Sequence, residues 1–246
     1  MRSLLLLTST VAPPPGVPFL HVTDPEERRR QYEAAAMAWT RVTEPLGIRL
    51  LIVDSSPEVT DSLRSFQENV QAMNTLTRTV ELAHEPAAAD QHRDGKGIGE
   101  AHILRRAMAH IRPDESDVVK CTGRLVVRQP LELFPTHRDG IMCLLSPALD
   151  WADSRLFAAP VAVVQKYFLH LDDNINEKAG VFFEHVFARA ILSALGDGIP
   201  FRPWPTIPQL TGVAGSTGRR YDTLGSRLRA RIQDRLRSHL TPHVPL

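Results

Sequence analysis

Ser3-Leu4-Leu5-Leu6-Leu7-Thr8-Ser9-Thr10 and Ile48-Arg49-Leu50-Leu51-Ile52-Val53-Asp54 are two short, nearly continuous apolar runs, the length and pattern of strands buried on both faces. Between them Pro13-Pro14-Pro15-Gly16 forces a loop. Asp24-Pro25-Glu26-Glu27 then opens a helix, with an acid at the N-cap, proline in the first turn and glutamate at the capping-box position. Tyr32, Ala35, Ala36, Trp39 and Val42 recur on one helical face. Strand, helix and strand at this spacing form a βαβ unit, and Asp54 falls at the carboxyl end of its second strand.

Val80 to Ala83 reads as a short third strand, and Gly97 to Ile111 as a helix carrying Ile103, Leu104, Ala107, Met108 and Ile111 at helical period. Asp117 to Val127 reads as one strand, Ile141 to Leu145 as another and Arg155 to Ala158 as a short edge piece. Val161 to Leu171 and Phe183 to Leu195 are the late helices, the second closed by Gly196. A Pro-rich stretch from Pro200 to Pro208 and a flexible Gly212 to Gly218 loop lead to an Arg-rich helix from Thr223 to Leu240. The expected fold class is α/β: an open, mainly parallel sheet flanked by helices, with ligands at the carboxyl ends of its strands. Residues 1–210 are expected to form the main domain and 211–246 a loop and basic helix.

A chain of 246 residues with 43% hydrophobic and 23% charged residues suits one folded domain with a modest appendage. The net charge of +1 excludes a whole-molecule field toward nucleic acid or anionic membrane. From Arg219 onward, however, seven arginines stand against two acids. The final helix lacks aromatic residues for base stacking, so a solvated or membrane-peripheral role is expected rather than a nucleic-acid partner. Cys121 and Cys143 alone cannot form a disulfide framework or a zinc-finger spacing. Leu4 to Leu7 is too short for a secretion signal, and no other run approaches the ~20 residues that span a bilayer, so a cytoplasmic location is expected.

Chemistry should lie just after the strands. Asp94-Gly95-Lys96-Gly97-Ile98-Gly99-Glu100 precedes a helix, the outline of a phosphate cradle without the spacing of a Walker loop. Lys120 and Arg124 interrupt an otherwise apolar strand, and buried cations require compensation by an anion, either a carboxylate such as Asp54 or Asp153 or a bound diphosphate. Asp153-Ser154-Arg155 supplies a further acid and cation. Glu184 stands among Phe182, Phe183 and Phe187 in the first turn of a helix, where apolar neighbours raise a carboxylate's pKa toward that of a general base.

Taken in order, these segments resemble bacterial glycosyltransferases of the GT-A, Rossmann-related nucleotide-diphospho-sugar fold, particularly small ones that assemble surface polysaccharide or glycosylate natural products. The resemblance runs from Arg2 to about Asp222: a first strand ending Thr8-Ser9-Thr10, Asp24-Pro25-x-x-Arg28-x-x-Gln31, Gly-Lys-Gly-x-Gly-Glu-Ala from Gly95, Lys120-x-Thr122-Gly123-Arg124, Asp153-Ser154-Arg155 and Phe183-Glu184-His185. It implies transfer of a sugar from a nucleotide-activated donor to a hydroxyl acceptor, whether glycan, lipid-linked or small molecule. Glu184 and Arg124 would be catalytic, and Asp54 would meet base or ribose. Lys96, Lys120 and Arg124 would neutralise the diphosphate, with Thr8, Asp94, Gly97, Gly99, Glu100, Thr122, Gly123, Asp153, Ser154 and Arg155 completing the donor site. Ser216, Arg219 and Arg220 would belong to a lid. Thr122-Gly123-Arg124 stands where this fold usually has a metal-binding Asp-x-Asp, so no metal and no cofactor are expected, a divalent ion being the alternative. A nucleotidyltransferase that makes the activated sugar is the competing enzyme class, and a protein binding nucleic acid or membrane through its basic tail the competing non-enzyme.

Overall fold

The structure is a computed structural model that describes residues 2–18, 20–88, 95–134, 139–213, 218, 220 and 221. Strand β1 (Arg2–Ser9) pairs in parallel with β2 (Arg49–Asp54) on one side and β4 (Glu115–Thr122) on the other, and β3 (Val80–His84) extends the parallel part beyond β2. Strands β7 (Ala152–Pro160) and β6 (Met142–Leu145) complete the sheet antiparallel, in the order β3-β2-β1-β4-β7-β6. This is the mainly parallel, helix-flanked sheet expected from the sequence.

The leucine run explains why β1 is central. Leu4 and Leu6 enter one core with Leu104 of α3 (Lys96–Ala107) and Phe187 of α5 (Phe183–Gly196). Leu5 and Leu7 enter the other, with Trp39 of α1 (Pro25–Thr43) and Phe66 of α2 (Asp61–Thr77). Each leucine is at most 1% exposed. Full burial contributes about 1.5–3 kcal/mol per side chain, so both faces of β1 must be covered. Helix α1 begins as its sequence dictates, the Asp24 carboxylate accepting from the Glu26 and Glu27 amides.

Four local expectations change. Helix α2 was not anticipated: only Leu63, Phe66 and Val70 of its 17 residues are buried, a stripe too sparse to stand out against its polar neighbours. The strand expected over Asp117 to Val127 breaks at Gly123, and β5 (Leu125–Val127) leaves the main sheet to pair with β8 (Leu210–Gly212). The Gly123 amide donates to the Thr8 carbonyl at 2.9 Å, a turn closed against the end of β1. The piece expected as a short edge is the nine-residue β7, interior to the sheet. The helix expected over Val161 to Leu171 is a single α-turn (Val161–Val163) followed by a π-helical turn (Val164–Phe168).

Strand β8 also crosses the domain boundary expected at 210/211. The basic helix expected over Thr223 to Leu240 falls outside the described residues. Among the described residues, no helix is long and apolar enough to cross a membrane.

Candidate active site

Strand order reverses at β1, whose neighbours β2 and β4 lie on opposite sides, and a crevice opens at such a point beyond the carboxyl ends of the strands. A cavity of about 360 Å³ lies there, lined by Thr8, Ser9 and Thr10 at the carboxyl end of β1, Thr122 and Arg124 at that of β4, and Ser154 and Arg155 of β7. Arg28 and Tyr32 of α1, Lys96, Gly99 and Glu100 of α3, and Glu184 of α5 close its sides. Trp151, Tyr221 and the apolar Pro13, Val17, Leu20, Ile103, Leu125 and Val213 complete the lining.

One wall is cationic. Arg28, 4% exposed, donates from Nε to the Thr10 carbonyl, and its terminal nitrogens donate to the Val22 carbonyl and the Tyr32 hydroxyl. Arg124, 8% exposed, has a weak bond of 3.3 Å to Gln31 Oε1, while its buried Nε has no partner among the described residues. The two guanidinium carbons lie 5.6 and 5.8 Å from the centroid of the Tyr32 ring. Neither cation has an ion pair among the described residues. Burial pulls the Arg28 pKa below its ordinary value, with Arg124 adding repulsion and Tyr32 and Asp54 opposing the fall. Two cations buried without an ion pair carry a desolvation cost that an arriving anion would offset.

The other wall is built on Lys120. Its ammonium, 1% exposed, contacts the Glu100 carboxylate and donates to the Ser154 carbonyl at 2.7 Å. The Ser154 hydroxyl donates to Glu184 Oε1 at 3.1 Å. Glu100 and Glu184 therefore border one cavity, joined through a single buried lysine and one serine. Lys120 itself does not line the cavity, which corrects its expected place on the diphosphate.

Other expected residues also lie behind the walls. Asp54 is fully buried and accepts from Ser9 Oγ, the Val11 amide and the Ser56 amide, so it ties the loops after β1 and β2 together and has no surface for base or ribose. Asp153, 2% exposed, holds Nε and a terminal nitrogen of Arg155 at 2.7 and 2.5 Å, and Tyr221 stacks 4.9 Å from that guanidinium. Gly123 packs beneath the cavity: a Cβ there would lie 2.6 Å from the Thr8 carbonyl oxygen.

The glycine loop is the largest change. The Gly97 amide donates to Glu177 Oε1 at 2.8 Å, and a Cβ on Gly97 would lie 2.6 Å from that oxygen and 3.0 Å from Phe183 Cβ. An internal carboxylate thus occupies the start of α3 where a donor phosphate was expected, and Gly97 does not reach the cavity. Burial raises the Glu177 pKa although the Gly97 amide works the other way, and Oε2 is buried without a partner.

Arg220 bridges to Val213 and does not line the cavity, whereas its neighbour Tyr221 does. Asp94, Ser216 and Arg219 lie outside the described residues. The structure adds Ser9, Thr10, Arg28, Tyr32, Trp151 and Tyr221 to the site. The signal for Arg28 was present, an arginine one turn before Tyr32 on the apolar face of α1.

A divalent ion fits poorly here. Thr122-Gly123-Arg124 offers no carboxylate, while Glu100 and Asp153 are engaged by cations and Glu184 by Ser154. Among the described residues no three acidic, histidine or cysteine side chains are grouped to hold one.

No family model matches the chain, and no curated protein matches it. Among solved structures it is similar to a provisionally named nucleotide-diphospho-sugar transferase of Desulfovibrio desulfuricans G20, at 14% identity and a TM-score of 0.47, covering 82% of this chain and 80% of that one. It is also similar to the galactosyltransferase LgtC in complex with donor and acceptor sugar analogues, at 10% identity, a TM-score of 0.44 and coverage of 82% and 73%. An active-site variant of LgtC gives 10% identity, a TM-score of 0.45 and coverage of 79% and 70%.

Proposed function

We propose that this protein transfers a sugar from a nucleotide-activated donor to a hydroxyl acceptor, and does so without a metal ion. The observation that carries the reading is the pairing, across one cavity at the strand-order reversal, of Arg28 and Arg124, neither with an ion pair among the described residues, with a carboxylate, Glu184, fixed by Ser154. A diphosphate answers the first wall. An acceptor hydroxyl answers the second.

In the proposed reaction the acceptor oxygen bonds to the anomeric carbon as the bond from that carbon to phosphate oxygen breaks. The hydroxyl proton passes to Glu184, and the bonding electron pair leaves with the nucleoside diphosphate. Arg124 meets the charge that develops on the departing phosphate, since a guanidinium binds two phosphate oxygens at once and stays charged at any working pH. Lys96, which borders the same space, adds positive charge.

The test is incubation of the full chain with a panel of nucleotide sugars and hydroxyl acceptors in excess EDTA, reading nucleoside diphosphate release and product mass. Release coupled to glycoside formation supports the reading. Pyrophosphate release from a sugar phosphate and a nucleoside triphosphate would replace it with nucleotidyl transfer.

A further inference from the structure

Resting on that reading, we infer that the donor sugar is neutral and polyhydroxylated, held through its hydroxyls by Glu100, and that the site rejects sugars bearing a carboxylate. The cavity is chemically divided. Arg28 and Arg124 gather on Tyr32 at one wall, and Glu100 and Glu184 are joined through Lys120 and Ser154 at the other. Arg124, more than nine-tenths buried with its Nε unpartnered, marks the wall that awaits an anion. A nucleotide sugar has the same polarity, a dianionic linker followed by an uncharged ring. With the phosphates at the arginines, the ring faces the carboxylates.

Glu100 suits hydroxyl recognition for a specific reason. Its carboxylate pairs with Lys120, buried beneath it, and a carboxylate is an acceptor only, able to take two O–H donors. The same pairing cancels its charge, so no net field remains to recruit a cationic sugar. Glu184 receives a single O–H donor from Ser154 and keeps acceptor capacity toward the cavity. A uronate at this end would bring its charge against Glu184 and would set an acceptor, where a hydroxyl donor is needed, against Glu100.

The experiment is calorimetric titration of the full chain with matched pairs, UDP-glucose against UDP-glucuronate and GDP-mannose against GDP-mannuronate, with UDP and GDP alone as reference. The expected result is that, for the base that binds, the neutral sugar binds at least about tenfold tighter than its uronate, a difference near 1.4 kcal/mol. In Glu100→Gln the gap should narrow to within about threefold, because an amide donates as well as accepts. Should the single change unfold the chain by stranding Lys120, the double variant Glu100→Gln/Lys120→Met keeps that interior neutral and is expected to narrow the gap equally. A uronate bound as tightly as its neutral partner, where the diphosphate alone binds, overturns the inference and leaves the donor-site reading standing. If neither diphosphate nor any nucleotide sugar binds, the reading itself falls and the inference with it.

Discussion

Lys120 and Arg124 are four residues apart in one apolar run, and the fold gives them opposite surroundings. Lys120 points under the site and is neutralised by Glu100, whereas the turn at Gly123 carries Arg124 past the end of β4 to the cavity with its Nε unpaired. The difference predicts their mutational behaviour. Arg124→Ala should lower kcat/KM by roughly 10²–10³, the usual consequence of removing one preorganised donor to developing charge, and Arg124→Lys should restore only part because a point charge replaces a bidentate fork. Steady-state kinetics on both variants decide it, and full rescue by lysine would reduce Arg124 to a simple charge. Glu184 is the other residue-scale test. Glu184→Gln keeps the bond from Ser154 but loses proton affinity, so turnover should fall by roughly 10²–10⁴ while donor affinity measured by titration stays within a few-fold. Near-normal turnover would remove it from the proton transfer. Both residues were legible in the sequence because each breaks an apolar segment, which burial alone does not explain. Asp54 broke a segment equally, yet its partners are the local groups Ser9, Val11 and Ser56, and no residue pattern distinguishes a carboxylate capping a loop from one facing a ligand.

At the level of elements, β1, α1 and β2 could be read because leucine runs and a capped apolar stripe each admit one solution, while the break between β4 and β5 is a tertiary effect. It depends on the Thr8 carbonyl meeting Gly123 and on the Leu125 carbonyl receiving the Trp39 indole N–H at 2.9 Å, partners distant in sequence. The start of α3 is a similar case: glycines before a helix suit a phosphate, and here Glu177 arrives 80 residues later in the chain. Gly97→Val should therefore act first on folding, lowering stability by about 1–3 kcal/mol through overlap with Glu177 and Phe183, as a denaturation midpoint would report. Glu177 adds a pH signature. Its pKa lies above the ordinary 4.5 because burial disfavours the charged form. Between those two values the folded chain holds the proton more tightly than the unfolded chain, so its contribution to stability is present at low pH and falls as pH rises through the raised pKa. Glu177→Gln keeps an oxygen for the Gly97 amide and removes the titration. Its melting temperature relative to the wild type should rise as pH is taken from about 4.5 to 7. Parallel melting curves across that range would show that the buried carboxylate carries no such cost.

For the whole molecule, the cavity is a junction between the parallel part of the sheet and the antiparallel β7–β6 part, and its lining comes from α1, α3, α5 and four strands at once. Both core layers converge on it: Tyr32 belongs to the α1–α2 side, while Phe183, adjacent to Glu184, packs in the α3–α5 layer with Phe187 at 5.9 Å. An anion bound between Arg28 and Arg124 thus touches elements anchored in different layers, and it relieves a desolvation cost that the free protein bears. Binding should appear as global stabilisation. At 100 times its Kd a nucleoside diphosphate adds about 2.7 kcal/mol, and at roughly 2–4 °C per kcal/mol for a chain of this size the melting temperature should rise by about 5–10 °C. On the proposed reading the arginines, not carboxylates, meet the phosphates, so the rise should be the same in excess EDTA. Arg124→Ala should shrink it while leaving the ligand-free melting temperature unchanged or higher, because the variant removes a buried, partly unpaired cation. A rise that disappears with chelator and returns with Mn²⁺ or Mg²⁺ would mean that an ion bridges diphosphate and protein, and the arginine wall would then have to be read as a counter-charge to something other than the leaving group.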